Sequence, residues 1–240
     1  MDIEKFDWLV NCRRLFMPAA HFLGDPLEGT KPAGDLKWWR SLAENASSPE
    51  QRLVIEENQQ LLSSFAKAFR GNYYVSCWHM NEIESEEMWR CYTKTSNAVA
   101  VRTTYRELRA SMPSYVEIGM VRYIDYAIER LPTLNMFEYI THKNVSYAFE
   151  REVRAVALPP ATEGLGSEHF QSNCFESETK KGFLVFAQEI DIGRLIHSVV
   201  LHPDASPEFE AKIIEVCAQS GLPEPTTSAF GSHGVVSSAL

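Results

Sequence analysis

The run Phe149-Glu150-Arg151-Glu152-Val153-Arg154 passes without a break into Ala155-Val156-Ala157-Leu158 and stops at Pro159-Pro160; no other stretch restricts the fold of this chain as much. Read as a strand, its period of two sends Glu150, Glu152 and Arg154 to one face and Arg151 and Val153 to the other. The apolar continuation is that of a strand entering a core, which carries the charged half to the core's edge rather than into open water. Lys143, on a preceding segment read as a helix over 136–147, brings a second cation to the same region. A solvent-facing ladder of ion pairs is the plain reading of such a run and is worth little. Held at a core edge, the carboxylates would instead have separated pKa values suited to base or electrostatic roles.

Around this run the chain alternates irregularly between helical and extended patterns. Strands are expected near Leu15–Ala19, Tyr73–Trp78, Ala98–Thr103, Tyr115–Tyr126, Glu152–Leu158, Phe183–Ile190 and Leu195–Leu201. Helices are expected over 1–10, from Asp35 as cap, from Ser48-Pro49 to Gly71, from Ser85, from the capping box Thr104-x-x-Glu107, and from Ser206-Pro207 to Gly221. This is not the regular strand-helix alternation of a doubly wound sheet. It predicts an α+β fold, a mixed and mostly antiparallel sheet with several flanking helices. With 240 residues, 45% of them hydrophobic, a single domain with one substantial core is the expectation. Residues 161–181 read as a flexible loop and 231–240 as a disordered tail.

Two further segments carry chemistry. Asp25-Pro26-Leu27-Glu28-Gly29 is a rigid turn that holds two carboxylates, Asp25 and Glu28, for guanidinium, hydroxyl or metal contacts. Ser76-Cys77-Trp78-His79 ends a strand, and Met88-Trp89-x-x-Tyr92 follows on a helix that sets Trp89 and Tyr92 on one face. Those aromatics are either core residues or the walls of a flat pocket, with Ser76 as its hydroxyl and Trp78 beside it. Cys77 and His79 share a strand face, but no third group completes a nucleophile.

The net charge of −9 and pI near 5.3 oppose broad nucleic-acid binding, which needs many cations on a wide surface. No run of about 20 apolar residues reads as a membrane span, and the acidic N-terminus does not read as a signal peptide. A cytoplasmic protein with no membrane partner is expected, its five scattered cysteines reduced.

Four pieces in this order resemble the bacterial family called domain of unknown function 2971: residues Phe22 to Gly29; Ser76-Cys77-Trp78 with Met88 to Tyr92; Val121-Arg122-Tyr123; and Lys143 with Phe149 to Arg154. The likeness runs from about Phe6 to Leu201. The family's aromatic-flanked basic residue has no counterpart in Met1-Asp2-Ile3-Glu4, so either it lies upstream of Met1 or this chain does without it. Glu150-Arg151-Glu152-Val153 followed by Leu158-Pro159-Pro160 also resembles the glutamate-x-glutamate strand of ADP-ribosyltransferases. That likeness implies NAD as substrate, for ADP-ribosyl transfer or NAD hydrolysis, with Glu152 the principal catalytic carboxylate and Glu150 its companion. Asp25, Glu28, Ser76, Trp78, Trp89, Tyr92, Lys143 and Arg154 would then form the binding surface for a nucleotide or other small molecule. It also asks for an arginine on an early strand, for which Arg13 and Arg14 are the candidates. Two other readings stand beside it. One is a non-catalytic binding or sensor domain braced by a structural charge network. The other is a metal-dependent phosphodiesterase or nuclease using Asp25, Glu28, Glu150 and Glu152.

Overall fold

Hydroxyl caps start the helices where the sequence places them. Ser48, Ser85, Thr104 and Ser206 each accept a hydrogen bond from the backbone N–H three residues on, at 3.2–3.3 Å. The structure, a computed structural model, describes residues 1–132, 135, 137–158, 174–176 and 184–231.

In chain order the first elements are α1 (Ile3–Cys12), β1 (Arg14–Pro18), α2 (Ala33–Glu44), α3 (Pro49–Arg70), β2 (Tyr74–His79), α4 (Glu86–Tyr92) and β3 (Val99–Arg102). Then come α5 (Tyr105–Ser111), β4 (Val116–Met120), β5 (Arg122–Ile124), α6 (Glu138–Thr141), β6 (His142–Asn144) and β7 (Glu152–Ala157), with 3-10 turns at Ala20–Phe22 and Val145–Glu150. Last are β8 (Cys174–Glu176), β9 (Leu184–Glu189), α7 (Ile192–Leu195), β10 (Ser198–Leu201) and α8 (Pro207–Ser220). The fold is α+β with several small sheets; β2 and β4 pair antiparallel with β7, β10 with β3 and β8 with β9, whereas β5 and β6 are parallel.

The chain divides into two compact units, each built from separated segments. One comprises Met1–Phe16, Asn81–Pro113 and Ala187–Leu240; the other comprises Met17–Met80 and Ser114–Phe186. In the first, β3 and β10 pair antiparallel from Val99↔Leu201 to Arg102↔Ser198. Phe6, Leu9 and Val10 of α1 are buried, as are Phe209, Ile213 and Cys217 of α8. In the second, β7 lies between β2 and β4, antiparallel to both, and all six of its residues are buried. Its core includes Ala20, Tyr73, Val75, Ile140 and Val156.

Several expected boundaries move. The long strand over 115–126 is two strands that part at Val121: β4 pairs with β7, whereas β5 pairs with β6. The helix over 136–147 is one turn, because the ladder from His142 to Asn144 takes the chain into a parallel pair with Arg122–Ile124 and overrides the apolar helical period. Asp35 is not a cap. α2 begins two residues earlier, and Asp35 is buried in its first turn, accepting from Leu131 N at 3.3 Å. Within the expected loop over 161–181, Cys174–Glu176 is a strand paired with Leu184–Phe186. The rest of that loop, and the expected tail beyond Gly231, lie outside the described residues.

Close approach fixes one glycine. A Cβ on Gly34 would stand 2.1 Å from the Glu129 carbonyl oxygen and 2.6 Å from that of Ile128, and backbone cannot yield as a side chain can. Gly34→Ala is therefore expected to lower stability by about 1 to 3 kcal/mol, the cost of forcing atoms into filled space. Gly119→Ala, which meets nothing within 4 Å, is expected to leave it unchanged or slightly higher. Urea unfolding of the two variants checks the contrast.

Candidate functional site

Register on β7 sorts the expected site residues. Cys77 pairs with Arg154 and His79 with Glu152, while Ser76 pairs with Ala155 and Trp78 with Val153. Directly paired residues share a face and faces alternate, so Cys77, His79, Glu152 and Arg154 lie on one side of this sheet. Ser76 and Trp78 lie on the other, where the Trp78 indole N–H donates to Ser76 Oγ at 3.1 Å. On β4 the position opposite Arg154 is Gly119.

Arg154 is fully buried, and all five of its N–H donors are used. Nε and Nη2 donate to the two oxygens of Glu152 at 2.8 and 2.9 Å. Nη1 and Nη2 donate to the two oxygens of Glu28 at 2.6 and 2.9 Å. The second Nη1 donor meets the Ile140 carbonyl at 2.7 Å. One planar fork thus bridges two carboxylates bidentately, an arrangement that lysine cannot reproduce.

Each partner is delivered by a local device. Glu28, 1% exposed, comes from the Asp25 turn: Asp25 Oδ1 accepts from Leu27 N at 2.8 Å, and Glu28 N donates to Asp25 O at 3.1 Å. Gly29, with φ 69°, lets the chain leave that turn. Asp25 therefore works within the turn, supporting Glu28. Glu150 is not on the strand as expected but ends the 3-10 turn, and Arg151 then adopts φ 42°, ψ 55°. That left-handed step, which costs a non-glycine residue about 1 to 2 kcal/mol, lets both Glu150 and Glu152 face the cluster. Lys143 Nζ is bonded to Glu150 Oε2, lies 3.5 Å from Glu152 Oε2 and sits 4.6 Å from the Tyr147 ring centre. Two groups with no expected role complete the set. Tyr123 Oη accepts from Glu152 N at 2.8 Å, and His79 Nδ1 stands 2.6 Å from the Glu150 carbonyl, which requires the proton on Nδ1.

Two cations thus face three carboxylates, all five side chains buried, beside the exposed Cys77. Burial pushes the Glu28 carboxyl upward against the pull of Arg154. Burial also opposes ionisation of Glu152, but hydrogen bonding and charge from Arg154, helped by Cys77 and Lys143, win and hold that carboxyl below its ordinary range. Burial would lower Lys143; its bond to Glu150 and the charges of Glu152 and Glu150 raise it instead. Burial first, then the Glu152 carboxylate, push the Cys77 thiol well above its usual range. Part of Cys77 is exposed, so the carboxylate supplies the firmer part of that push, and a thiol so placed is a donor rather than a nucleophile.

Trp89 and Tyr92 belong to the other unit. There Trp89 is buried, donates to Glu84 Oε2 at 3.3 Å and packs edge-on against His202 at 5.3 Å between ring centres, while Tyr92 is largely exposed. Trp89 is thus a core residue, as helical aromatics usually are. Arg14 pairs with Glu189 at 3.2 Å within that same unit. Of the four carboxylates of the expected metal site, Glu28, Glu150 and Glu152 converge on Arg154 and Lys143 while Asp25 stays within its turn, and among the described residues no three His, Cys, Asp or Glu are placed to hold a metal ion. No helix among them is long and apolar enough to cross a membrane. Compared with protein-family models, curated proteins and solved structures, the chain matches none.

Proposed function

We propose that this chain is a non-catalytic binding domain, in which the charge cluster on β7 braces the frame rather than acting on a substrate. The saturation of Arg154 carries the reading. Its five donors are all taken, and Glu28 and Glu152 each give both oxygens to it, so a ligand would have to break these bonds to enter. Buried charges must be paired whether or not they catalyse, and this pairing is close to complete. An NAD-consuming enzyme would instead need Glu152 beside a developing oxocarbenium ion, with the serine shaping the same pocket. Ser76 lies on the opposite face of the sheet and is engaged by Trp78.

Incubation of the purified protein with NAD tests this. No nicotinamide release above the protein-free control is expected. Release by the wild type that disappears in Glu152→Gln, with the melting temperature unchanged, would overturn the proposal and restore Glu152 as a catalytic group.

A further inference from the structure

Away from the charge cluster, but in the same unit, a recess of about 90 Å³ is lined by Lys31, Asp35, Trp38, Trp39, Arg130 and Tyr139, with Leu131 and Pro132 beside them. α2 supplies the two indoles, whose ring centres are 4.9 Å apart and nearly perpendicular. The Arg130 guanidinium lies 3.7 Å from the Trp38 ring centre, a stacked position that fixes its plane. Lys31 Nζ is 5.8 Å from the Trp39 ring centre.

Donors outnumber acceptors here. Among the described residues the carboxylate lining the recess is Asp35, and it is already engaged: Oδ2 accepts from Leu131 N at 3.3 Å, and Oδ1 faces Arg130 Nε at 3.5 Å. Lys31 has three N–H donors and a single long contact, 3.4 Å to the Gln59 carbonyl. Tyr139, 4% exposed, lines the recess together with the indoles of Trp38 and Trp39, each a side chain that carries a donor. Among the described lining residues two cations face one carboxylate, with the Glu138 charge reaching Tyr139 from outside the lining. Burial works against the Lys31 ammonium and lowers it, with Asp35 pulling back. Burial, then the Asp35 charge, push the Tyr139 hydroxyl up to about 12, which keeps it a donor at neutral pH.

A donor-rich, cationic recess with flat apolar walls is complementary to an oxyanion. We infer that it binds the phosphate or carboxylate group of a small molecule, with Lys31 as the point charge, Arg130 as the fork and Tyr139 as a third donor. Sites that enclose a whole nucleotide or drug-sized ligand run from about 300 Å³ upward, so only the anionic head group enters and the rest of the molecule stays outside. The inference deepens the binding reading above and rests on it, but it is tested on different residues. NAD turnover would sink that reading without moving the signals followed here.

The experiment is a titration of the full chain with inorganic phosphate, and separately with acetate, at constant ionic strength. It follows the five tryptophan indole N–H signals by nuclear magnetic resonance, with Trp38→Phe and Trp39→Phe variants assigning two of them. The expected result is saturable movement confined to Trp38 and Trp39, and the stronger of the two anions tells which head group the recess prefers. Lys31→Gln is expected to weaken binding roughly tenfold, the loss of a charge-assisted contact. Tyr139→Phe, which removes one oxygen and keeps the ring packed, is expected to weaken it about fivefold. Signals that stay still with both anions, that all move together without saturating, or that titrate in Lys31→Gln as in the wild type would overturn the inference.

Discussion

Arg154→Met is expected to destabilise the fold by roughly 3 to 5 kcal/mol, the usual cost of breaking a buried charge pair by removing one partner. Methionine fills similar space and supplies no donor. Glu28 and Glu152 would each lose two hydrogen bonds at 2.6–2.9 Å, and the Ile140 carbonyl would lose another. At about 2 to 4 °C per kcal/mol for a chain of this size, the melting temperature should drop by on the order of 10 °C. Lysine at the same position should recover little, since a point charge cannot meet two carboxylates edge-on. An unfolding midpoint in urea equal to that of the wild type would mean that the fork is not structural.

Glu152→Gln should cost about 1.5 to 3 kcal/mol near neutral pH, the range for losing a charge-assisted hydrogen bond, because its amide turns an N–H toward a guanidinium with none to accept it. The loss should depend on pH in a definite direction. Glu152 is held below its unfolded value of 4.5, so its contribution is fully present above that value and is lost as pH falls through the folded value. The stability gap between wild type and variant is therefore flat from neutrality to about pH 5 and closes on further acidification. Glu28 is shifted the other way, so its ionisation weakens the fold, and that penalty fades as pH falls. Part of that upward push comes from the Glu152 charge and is absent in the variant, so both contributions to the gap vanish together once the two carboxyls are protonated. Urea unfolding of the pair from pH 7 to pH 3 measures it, and a gap that widens in acid would contradict the assignment.

Part of the charge cluster is legible because some of its members are neighbours in the chain, although Glu28 is 126 residues from Arg154. Glu150, Glu152 and Arg154 share a face at period two, and Asp25-Pro26-x-Glu28-Gly29 is visibly a turn that presents a carboxylate. Yet Glu150 reaches the cluster by a different route, a left-handed step at Arg151 that a bare alternation of residues does not encode. The sidedness of Ser76 relative to Glu152 was not legible either. Parity within one strand is a sequence property, but parity between two strands depends on register, and a one-residue slip reverses every face. Trp89 and Tyr92 show a third limit. Their helical spacing was correctly read, but a chain that crosses between units at Phe16, Met80, Pro113 and Phe186 hides which core a helix serves. The recess around Trp38 and Trp39 is not legible in the sequence, because Asp35 has the position of a helix cap and its partners Arg130 and Leu131 are remote in the chain.

The sharpest test of a saturated, structural Arg154 is the effect of Glu152→Gln in two backgrounds, measured by urea unfolding at pH 7. With Arg154 present, the substitution should destabilise. In Arg154→Met, where the Glu152 carboxylate has lost its main counter-charge and keeps only Lys143 at 3.5 Å, the same substitution should stabilise or cost nothing. That would be a coupling of at least about 1 kcal/mol between the two sites. An equal cost in both backgrounds would show that Glu152 and Arg154 do not depend on each other, and the brace would have to be abandoned.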